Sequence, residues 1–460
     1  MKTLVVGNGG RESSIAMKLA EESSVYAVMK HENPSIKGFV KKTGGTFVIG
    51  NPSDPHFVSR FAVENRIDLA FVSADDPLEA GIIDALLDEG IRAVGPTRAG
   101  AEIEWNKEYS MRLMGNIFPE FTPKFWVAKN FDEIREIFNE VASEGIQVVV
   151  KPQGLTAGKG VKVMGEHLDG YPAAERYAME VLANHVGKSR CVIIVEKVEG
   201  IEFTVMAITD GKTVIPPPAT YDHPFRFDGD KGPGTGGMGS FCDKRLPLPF
   251  MSQSDYDTSI RIIQGTVDAL RKEGRHFNGV LNTGLFLTRD GLKFMEFNAR
   301  FGDPECMNIL SVLDSSLLCA LEKIDSQRLS PKDIRFKRKA SVVKYLVSPE
   351  YALSSGSTHM FELDVAAMAT EGVDVFFSSS IAQPNKNQYS TVGVSRNVGL
   401  AFTADSITDA SSHINHCITD HVKGPLHFRK DIGSEEELDF LKNKAQSMGR
   451  LSDNKWGGNL

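Results

Sequence analysis

The first hundred residues alternate short apolar runs with amphipathic ones, and that rhythm leaves few folds open. Residues 4–6, 25–29, 46–49, 69–72 and 93–94 have the length and apolar content of strands. Residues 13–21, 55–64 and 80–87 place apolar side chains at helical spacing. Strand and helix repeated in this way predict a parallel sheet covered by helices. Ligands of such sheets collect outside the carboxyl ends of the strands. Gly7-Asn-Gly-Gly-Arg-Glu12 follows the first strand, and its amides, Gly9 and Gly10 among them, either receive a phosphate at a helix N-terminus or form a tight structural turn. It is no dinucleotide fingerprint, because Glu12 stands where the third glycine belongs. After a later strand, Asp75 and Asp76 either face a ligand or cap a helix.

A second region carries chemistry. Lys293-Phe-Met-Glu-Phe-Asn-Ala-Arg-Phe-Gly-Asp-Pro-Glu305 alternates from 294 to 300, which predicts a strand with Glu296, Asn298 and Arg300 on one face and Met295, Phe297 and Ala299 on the other. A carboxylate and an amide oxygen two residues apart are hard ligands of the kind Mg²⁺ takes, with water and nucleotide phosphates completing its shell. Arg300, on the same face, can grip a carboxylate or phosphate through its planar fork. Alone, the pattern also describes an edge strand with solvated polar residues; its company along the chain favours the ligand reading. Gly154-Leu-Thr-Ala-Gly-Lys-Gly160 lies between strands at 147–151 and 161–164, so its amides and Lys159 can fold over phosphates, with Lys151 beneath. It is not a Walker loop, since a strand follows and Lys-Gly replaces Gly-Lys-Ser/Thr. Asp230-Lys-Gly-Pro-Gly-Thr-Gly-Gly-Met-Gly239 is too rich in glycine for a helix or strand interior and reads as an ordered loop against a ligand.

Between and beyond these stretches lie a helix carrying Lys107, a connector at 118–125, a helix at 132–143, a strand and turn at 192–202, a helix at 253–272 and a strand at 280–287 that pairs with 293–299. The basic run 331–339 reads as a boundary. Strands at 340–347, 374–377 and 391–402 with one helix at 407–418 follow it. The expected domains are 1–100, 101–327 with a lid subdomain at about 119–190, 328–433, and a C-terminal helix and tail at 434–460. A net charge of −8 argues against general nucleic-acid binding, so an anionic ligand must be held by local lysines, arginines and amides. Five scattered cysteines show no paired or metal-type spacing, no apolar run approaches a membrane span, and Met1-Lys2 leads directly into a strand. The expectation is a cytoplasmic protein with small-molecule partners.

In order, these pieces resemble the phosphoribosylamine–glycine ligases, the glycinamide ribonucleotide synthetases of the ATP-grasp superfamily. The likeness runs from Gly7 to about Gly433 and includes Gly95-Pro96, Glu104 to Lys107 and the closing Phe428-Arg-Lys-Asp-Ile-Gly433. Lys151-Pro-Gln-Gly-Leu-Thr-Ala-Gly-Lys-Gly with Met164-Gly-Glu-His167 is similar to the archaeal branch. The resemblance implies an α/β fold, α+β in the ATP-grasp part: an N-terminal parallel βαβ domain, an ATP-grasp domain with a lid, and a small β-rich C-terminal domain. It implies that ATP, glycine and 5-phosphoribosylamine become glycinamide ribonucleotide, ADP and phosphate, in a monomer or small homo-oligomer using Mg²⁺ or Mn²⁺. Lys107, Lys151, Gly158, Lys159 and Gly160 then hold the nucleotide phosphates, Glu196, Lys197 and Val198 the adenine, and Glu202 the ribose. Glu296 and Asn298 bind the metal. Arg300, Asp303 and Asp222 fall where the two other substrates meet, together with Gly236, Gly237, Met238 and Gly239, while Gly9, Gly10 and Asp75 serve the sugar phosphate.

Departures from the commoner bacterial pattern stand at Ser13, Asp75, Gln153, Gly234 and Met307, at Lys30-His-Glu-Asn-Pro-Ser35, and at Val347-Ser-Pro-Glu-Tyr351. Two other functions share the nucleotide residues. One is a different ATP-grasp carboxylate–amine ligase or carboxylase; the other is a catalytically silent ATP sensor.

Overall fold

A computed structural model describes residues 1–154, 160–353 and 355–451. Strands β1 (Lys2–Val6), β2 (Ser24–Met29), β3 (Phe47–Ile49), β4 (Leu69–Phe71) and β5 (Arg92–Val94) form a parallel sheet in the order β3-β2-β1-β4-β5. Helices α1 (Gly10–Leu19), α2 (Pro34–Lys42), α3 (Pro55–Asn65), α4 (Asp75–Ala80) and α5 (Ile82–Asp88) connect them. Alternation along the strands sorts the core. Val5, Ala27, Leu69 and Phe71 pack with Ile15, Leu19, Ile36 and Val40 of α1 and α2, whereas Leu4, Val6, Val28 and Ala70 pack with Val58, Ala62, Ile83 and Leu86 of α3 and α5.

The sequence reading contains no helix at 34–42. Asn33 makes one there, accepting the Ile36 N–H at 3.1 Å while Pro34 presets the first helical φ; Asp54-Pro55 does the same for α3. The helix expected at 80–87 is two helices meeting at Gly81, whose φ of 87° ends one and starts the next.

Next come α6 (Arg98–Trp105) and α7 (Lys107–Ile117), then an antiparallel sheet of β6 (Phe125–Ala128), β7 (Val148–Pro152), β8 (Lys162–Val163) and β9 (Val192–Glu196) in the order β6-β9-β7-β8. Helices α8 (Phe131–Ser143) and α9 (Gly170–Ala183) cover it with a core of their own, Phe138, Val141, Ala178 and Val181 against Val148, Val150, Val192 and Ile194. Most of the glycine-rich loop expected at 154–160, including Gly158 and Lys159, lies outside the described residues.

The platform of the molecule is a nine-stranded sheet. It contains β10 (Ile201–Thr209), β11 (Val214–Ile215), β12 (Thr220–Asp222), β15 (Gly239–Cys242), β16 (Gly279–Thr288), β17 (Gly291–Asn298), β18 (Ala340–Val347), β20 (Asp374–Phe377) and β23 (Arg396–Ala404), ordered β17-β16-β10-β12-β15-β18-β23-β20 with β11 beside β10. Strands from beyond residue 328 therefore continue the sheet begun before it. The hairpin β13 (Phe225–Phe227) and β14 (Lys231–Gly234) stands apart, and β19 (Met360–Leu363), β21 (Ser380–Ala382), β22 (Gln388–Thr391) and β24 (Val422–Lys423) make a further small sheet. Helices α10 (Gln253–Lys272), α11 (Glu305–Val312), α12 (Leu317–Asp325), α13 (Val365–Thr370), α14 (Ile407–His421) and α15 (Glu435–Ser447) complete the chain.

Three expectations change. The strand expected at 391–402 is divided between two sheets, ending as β22 at Thr391 and restarting as β23 at Arg396. The C-terminal region has a second helix, α13, capped by Asp364. Residues 231–234 are a strand in spite of their glycines: Gly232, at φ 83°, lets β14 fold back on β13 across an irregular register.

Candidate active site

Strand register assembles the site. Thr204 of β10 pairs with Thr220 of β12, so Glu202 and Asp222 stand opposite each other. On the other side of β10, Thr204 pairs with Gly284, Gly284 with Glu296, and Asn282 with Asn298. Glu202, Asp222, Glu296 and Asn298 therefore share one face of the sheet. The alternation expected along β17 is interrupted, because Gly284 pairs with Glu296 but Leu285 pairs with Phe294. Met295 is the extra residue of a β-bulge, which lets Phe294 and Phe297 both enter the core with ring centroids 4.5 Å apart. Its carbonyl accepts from Lys151 Nζ at 3.3 Å. The bulge thus seats the lysine beside Glu296.

Lys107 begins α7, where Asn106 caps the helix and Lys107 Nζ reaches Gly154 O at 3.0 Å. Burial lowers the pKa of both Lys107 and Lys151, although Glu296 pulls each upward. The carboxylates opposite are shifted the other way. Glu202 is exposed to water, yet the surrounding protein and Glu296 push its pKa up to about 7. Burial, Glu305 and Glu202 hold Asp222 well above the carboxylate range, and its Oδ1 is buried with no hydrogen-bond partner among the described residues. Lysines disfavoured as cations beside acids disfavoured as anions suit ligands of both signs: phosphates on one side, a metal ion or an amine on the other. Glu296 and Asn298 offer the hard oxygens that Mg²⁺ prefers, so the donor set fits that ion.

Arg300 bonds to Asn298 Oδ1 at 3.2 Å and Phe301 O at 3.2 Å and pairs with Glu104 at 3.1 Å; its Nε is buried without a partner among the described residues. Glu104 also accepts the Ala299 amide at 2.8 Å. Asp75 would be raised by burial, but Arg300 and Arg11 outweigh that and hold its pKa low. Asp75 stands after β4 and Gly9 after β1, the two strands between which the order of the sheet reverses.

The glycines have other duties. The Gly9 amide is taken by Glu12 Oε2 at 2.6 Å, and a Cβ on Gly10 would collide with the Tyr345 hydroxyl, so this turn is built for close packing and the Gly9 amide is not free for a phosphate. Met238 lies differently from an open ligand loop. Its side chain is fully buried, its amide bonds to His223 O and its carbonyl to the Tyr345 amide, so it belongs to the core. Gly239 is likewise structural, with its carbonyl accepting from the His223 amide at 3.0 Å and no room for a Cβ beside Val343 O. Gly236 and Gly237 do lie near Asp303, with Gly236 N donating to the Tyr351 hydroxyl at 3.1 Å and Arg396 bonding to Gly236 O. In the expected adenine linker, Glu196 Oε2 accepts the Lys124 amide at 3.2 Å and the Lys197 amide bonds to Gln147 O at 2.8 Å.

Sequence reading missed the residues that hold Asp303. Tyr345 OH donates to Asp303 Oδ1 at 2.5 Å, and Arg396 pairs with Oδ2 at 3.2 Å while lying over the Tyr345 ring. Both come from the C-terminal strands β18 and β23, where they look like ordinary strand residues. Arg11 and Glu104 were also missed as partners, although each lies inside a motif already singled out. The departure at Ser13 has a structural account: its hydroxyl donates to Phe377 O at 2.6 Å and accepts from Asn33 at 3.1 Å. Gln153 bridges Asn106, Ser189 and Arg190.

Comparison with known proteins agrees with this architecture. Residues 1–104 match the phosphoribosylglycinamide synthetase N domain and residues 106–306 the ATP-grasp (A) domain of the same family. The chain is 41% identical to the phosphoribosylamine–glycine ligase of Methanothermobacter thermautotrophicus over 95% of its own length and 97% of that protein's, and 38% identical to that of Methanobrevibacter smithii over 98% and 100%. Among solved structures, the phosphoribosylamine–glycine ligase of Thermotoga maritima superposes with a TM-score of 0.76 at 22% identity, covering 94% of this chain and 100% of that one. The biotin carboxylase domain of Hydrogenobacter thermophilus 2-oxoglutarate carboxylase, solved with MgADP, gives 0.68 at 16% identity over 97% and 93%, which shows a shared fold. The chain belongs to the phosphoribosylamine–glycine ligase family of ATP-grasp enzymes.

Proposed function

We propose that this chain, an ATP-dependent ligase of purine biosynthesis, joins glycine to 5-phosphoribosylamine through glycyl phosphate in the cleft above Glu202, Asp222, Glu296 and Asn298. A carboxylate resists attack by an amine, so one of its oxygens must first attack the terminal phosphorus of ATP, releasing ADP. The amine then attacks the acyl carbon, loses a proton, and expels phosphate that carries the bridging oxygen. Arg300, with an unpartnered buried Nε, holds the glycine carboxylate or its phosphate. Lys107 and Lys151 steady the nucleotide phosphates and Glu202 the ribose. Asp222, whose orphaned Oδ1 lacks a donor, meets the amine end of a substrate. Glu296 and Asn298 would hold Mg²⁺ or Mn²⁺, which would supply charge neutralisation for phosphoryl transfer.

The observation that carries this reading is the common strand face, which brings Glu202, Asp222, Glu296 and Asn298 together with Lys107 and Lys151 beside them. Glycine labelled with ¹⁸O in its carboxylate tests it. One labelled oxygen per phosphate released is the expected result. Unlabelled phosphate under turnover, with the label retained in glycine, excludes glycyl phosphate, and ADP release that ignores glycine points to another acid or to a sensor.

A further inference from the structure

We propose a second, zinc-class metal site in the C-terminal region, formed by Glu371, His413 and Cys417. Among the described residues these three are the one group of histidine, cysteine and acidic side chains whose ligand atoms, one from each, lie within 4.8 Å of one another. His413 and Cys417 are four residues apart on α14, so they project from the same face of the helix, and Glu371 ends α13 opposite them.

Cys417 Sγ lies 3.5 Å from His413 Nε2. A tetrahedral ion about 2.3 Å from sulfur and about 2.0 Å from nitrogen separates the two by about 3.5 Å. The pair is already at coordination spacing. Two contacts keep the imidazole in place: its ring packs on Phe402 with centroids 4.1 Å apart, and Nε2 donates to the Glu371 carbonyl at 2.8 Å. Nε2 therefore lies between the Glu371 backbone carbonyl and the Cys417 sulfur, and a bound ion takes the place of its bond to that carbonyl. His416 and Asp420, the other polar pair on α14, are 3.3 Å apart and occupied with each other on the exposed side.

Thiolate, imidazole and carboxylate together suit Zn²⁺ or Co²⁺ rather than the Mg²⁺ that the oxygen pair Glu296 and Asn298 prefers. The proton balance is simple. Cys417 gives up its thiol proton to solvent, and the imidazole moves its proton from Nε2 to Nδ1, giving up the bond to the Glu371 carbonyl and freeing the Nε2 lone pair, while the stacking on Phe402 stays. Water takes the fourth position. The bound ion ties the turn after α13 to α14, which packs on β18 and β23, the strands that carry Tyr345 and Arg396. The site braces the support of the catalytic cleft without touching a reacting group.

The test uses the full chain, stripped with chelator, and Co²⁺ or Zn²⁺ alone. Co²⁺ is expected to give the sulfur-to-metal absorption band of a thiolate-bound ion, one equivalent of Zn²⁺ to erase it, and Zn²⁺ to raise Tm. Cys417→Ser and His413→Gln should each remove the band and weaken Zn²⁺ binding by at least about 100-fold, with glycine-dependent turnover in Mg²⁺ unchanged. Cys319→Ser, at the exposed thiol, should keep the band. A wild-type protein without the band, or a band that survives Cys417→Ser, overturns the proposal. Should Cys417→Ser fail to fold, His413→Gln decides by the same two readouts, since a band of unchanged affinity there removes the site.

Discussion

At the scale of single residues, lysines and acids stand side by side, with Glu296 acting on both Lys107 and Lys151. Glu296 is the first to test. Glu296→Gln keeps an oxygen of similar shape on the same strand face but removes the charge that a metal requires, so kcat is expected to fall by roughly 100-fold or more while Tm stays near wild type. Titrating turnover against Mg²⁺ checks this; an unchanged metal dependence would remove Glu296 from the site. Glu202 gives a pH signature. Its pKa of about 7 means that the carboxylate able to accept ribose hydroxyls is lost as pH falls, so KM for ATP should rise below about pH 7. The sign for stability is the reverse. The folded chain holds this proton where the unfolded chain, with an ordinary glutamate near 4.3, has lost it. Its contribution to stability is full below that value and is lost as pH rises through about 7. Glu202→Gln should flatten both profiles, read as KM for ATP and as urea midpoints at pH 5 and pH 8.

At the scale of elements, the site depends on two irregularities in otherwise regular strands. The bulge at Met295 turns a carbonyl to Lys151, and a strictly alternating strand would not present it there. The second is the join of β15 to β18 at Gly239, where a Cβ would collide with Val343 O. Gly239→Ala must either part the two strands or distort the turn beside Asp222. A loss of about 2–3 kcal/mol is expected from such overpacking, together with lost activity. Thermal unfolding of the variant checks it, and a Tm equal to wild type would show that the join is more yielding than its spacing indicates.

At the scale of the whole molecule, Asp303 is where three parts of the chain meet: Gly9 from the parallel sheet, the strand ending β17, and Tyr345 and Arg396 from beyond residue 328. The C-terminal region therefore helps to hold Asp303 in place. Arg396→Lys retains a positive charge but loses the fork that joins Asp303 to the Gly236 carbonyl. Loss of charged hydrogen bonds of about 1.5–3 kcal/mol corresponds to a fall of roughly 10- to 100-fold in kcat/KM for phosphoribosylamine. ATP binding measured by calorimetry should not change. An equal loss of ATP affinity would instead mean that Arg396 supports the fold of the whole cleft.

Local pattern determined a great deal on its own. Strand and helix alternation specified the parallel sheet, because a period of two or of 3.6 residues decides which side chains can be buried together. The pairing of 280–287 with 293–299 and the facing of Glu296 with Asn298 were readable for the same reason, whereas only the family resemblance put Lys107 and Lys151 in the same site. What local pattern could not contain is the identity of partners distant in the chain. Glu104 beside Arg300, Tyr345 and Arg396 on Asp303, and Phe377 O on Ser13 are separated by tens to hundreds of residues, and each looks locally like an ordinary helix or strand position. Met238 shows the converse: a glycine-rich neighbourhood suggested a ligand loop, while the tertiary structure buries the side chain and pairs its backbone between His223 and Tyr345. Periodicity is a property of neighbours along the chain; an ion pair or a close backbone approach depends on where packing of the whole chain brings two surfaces together.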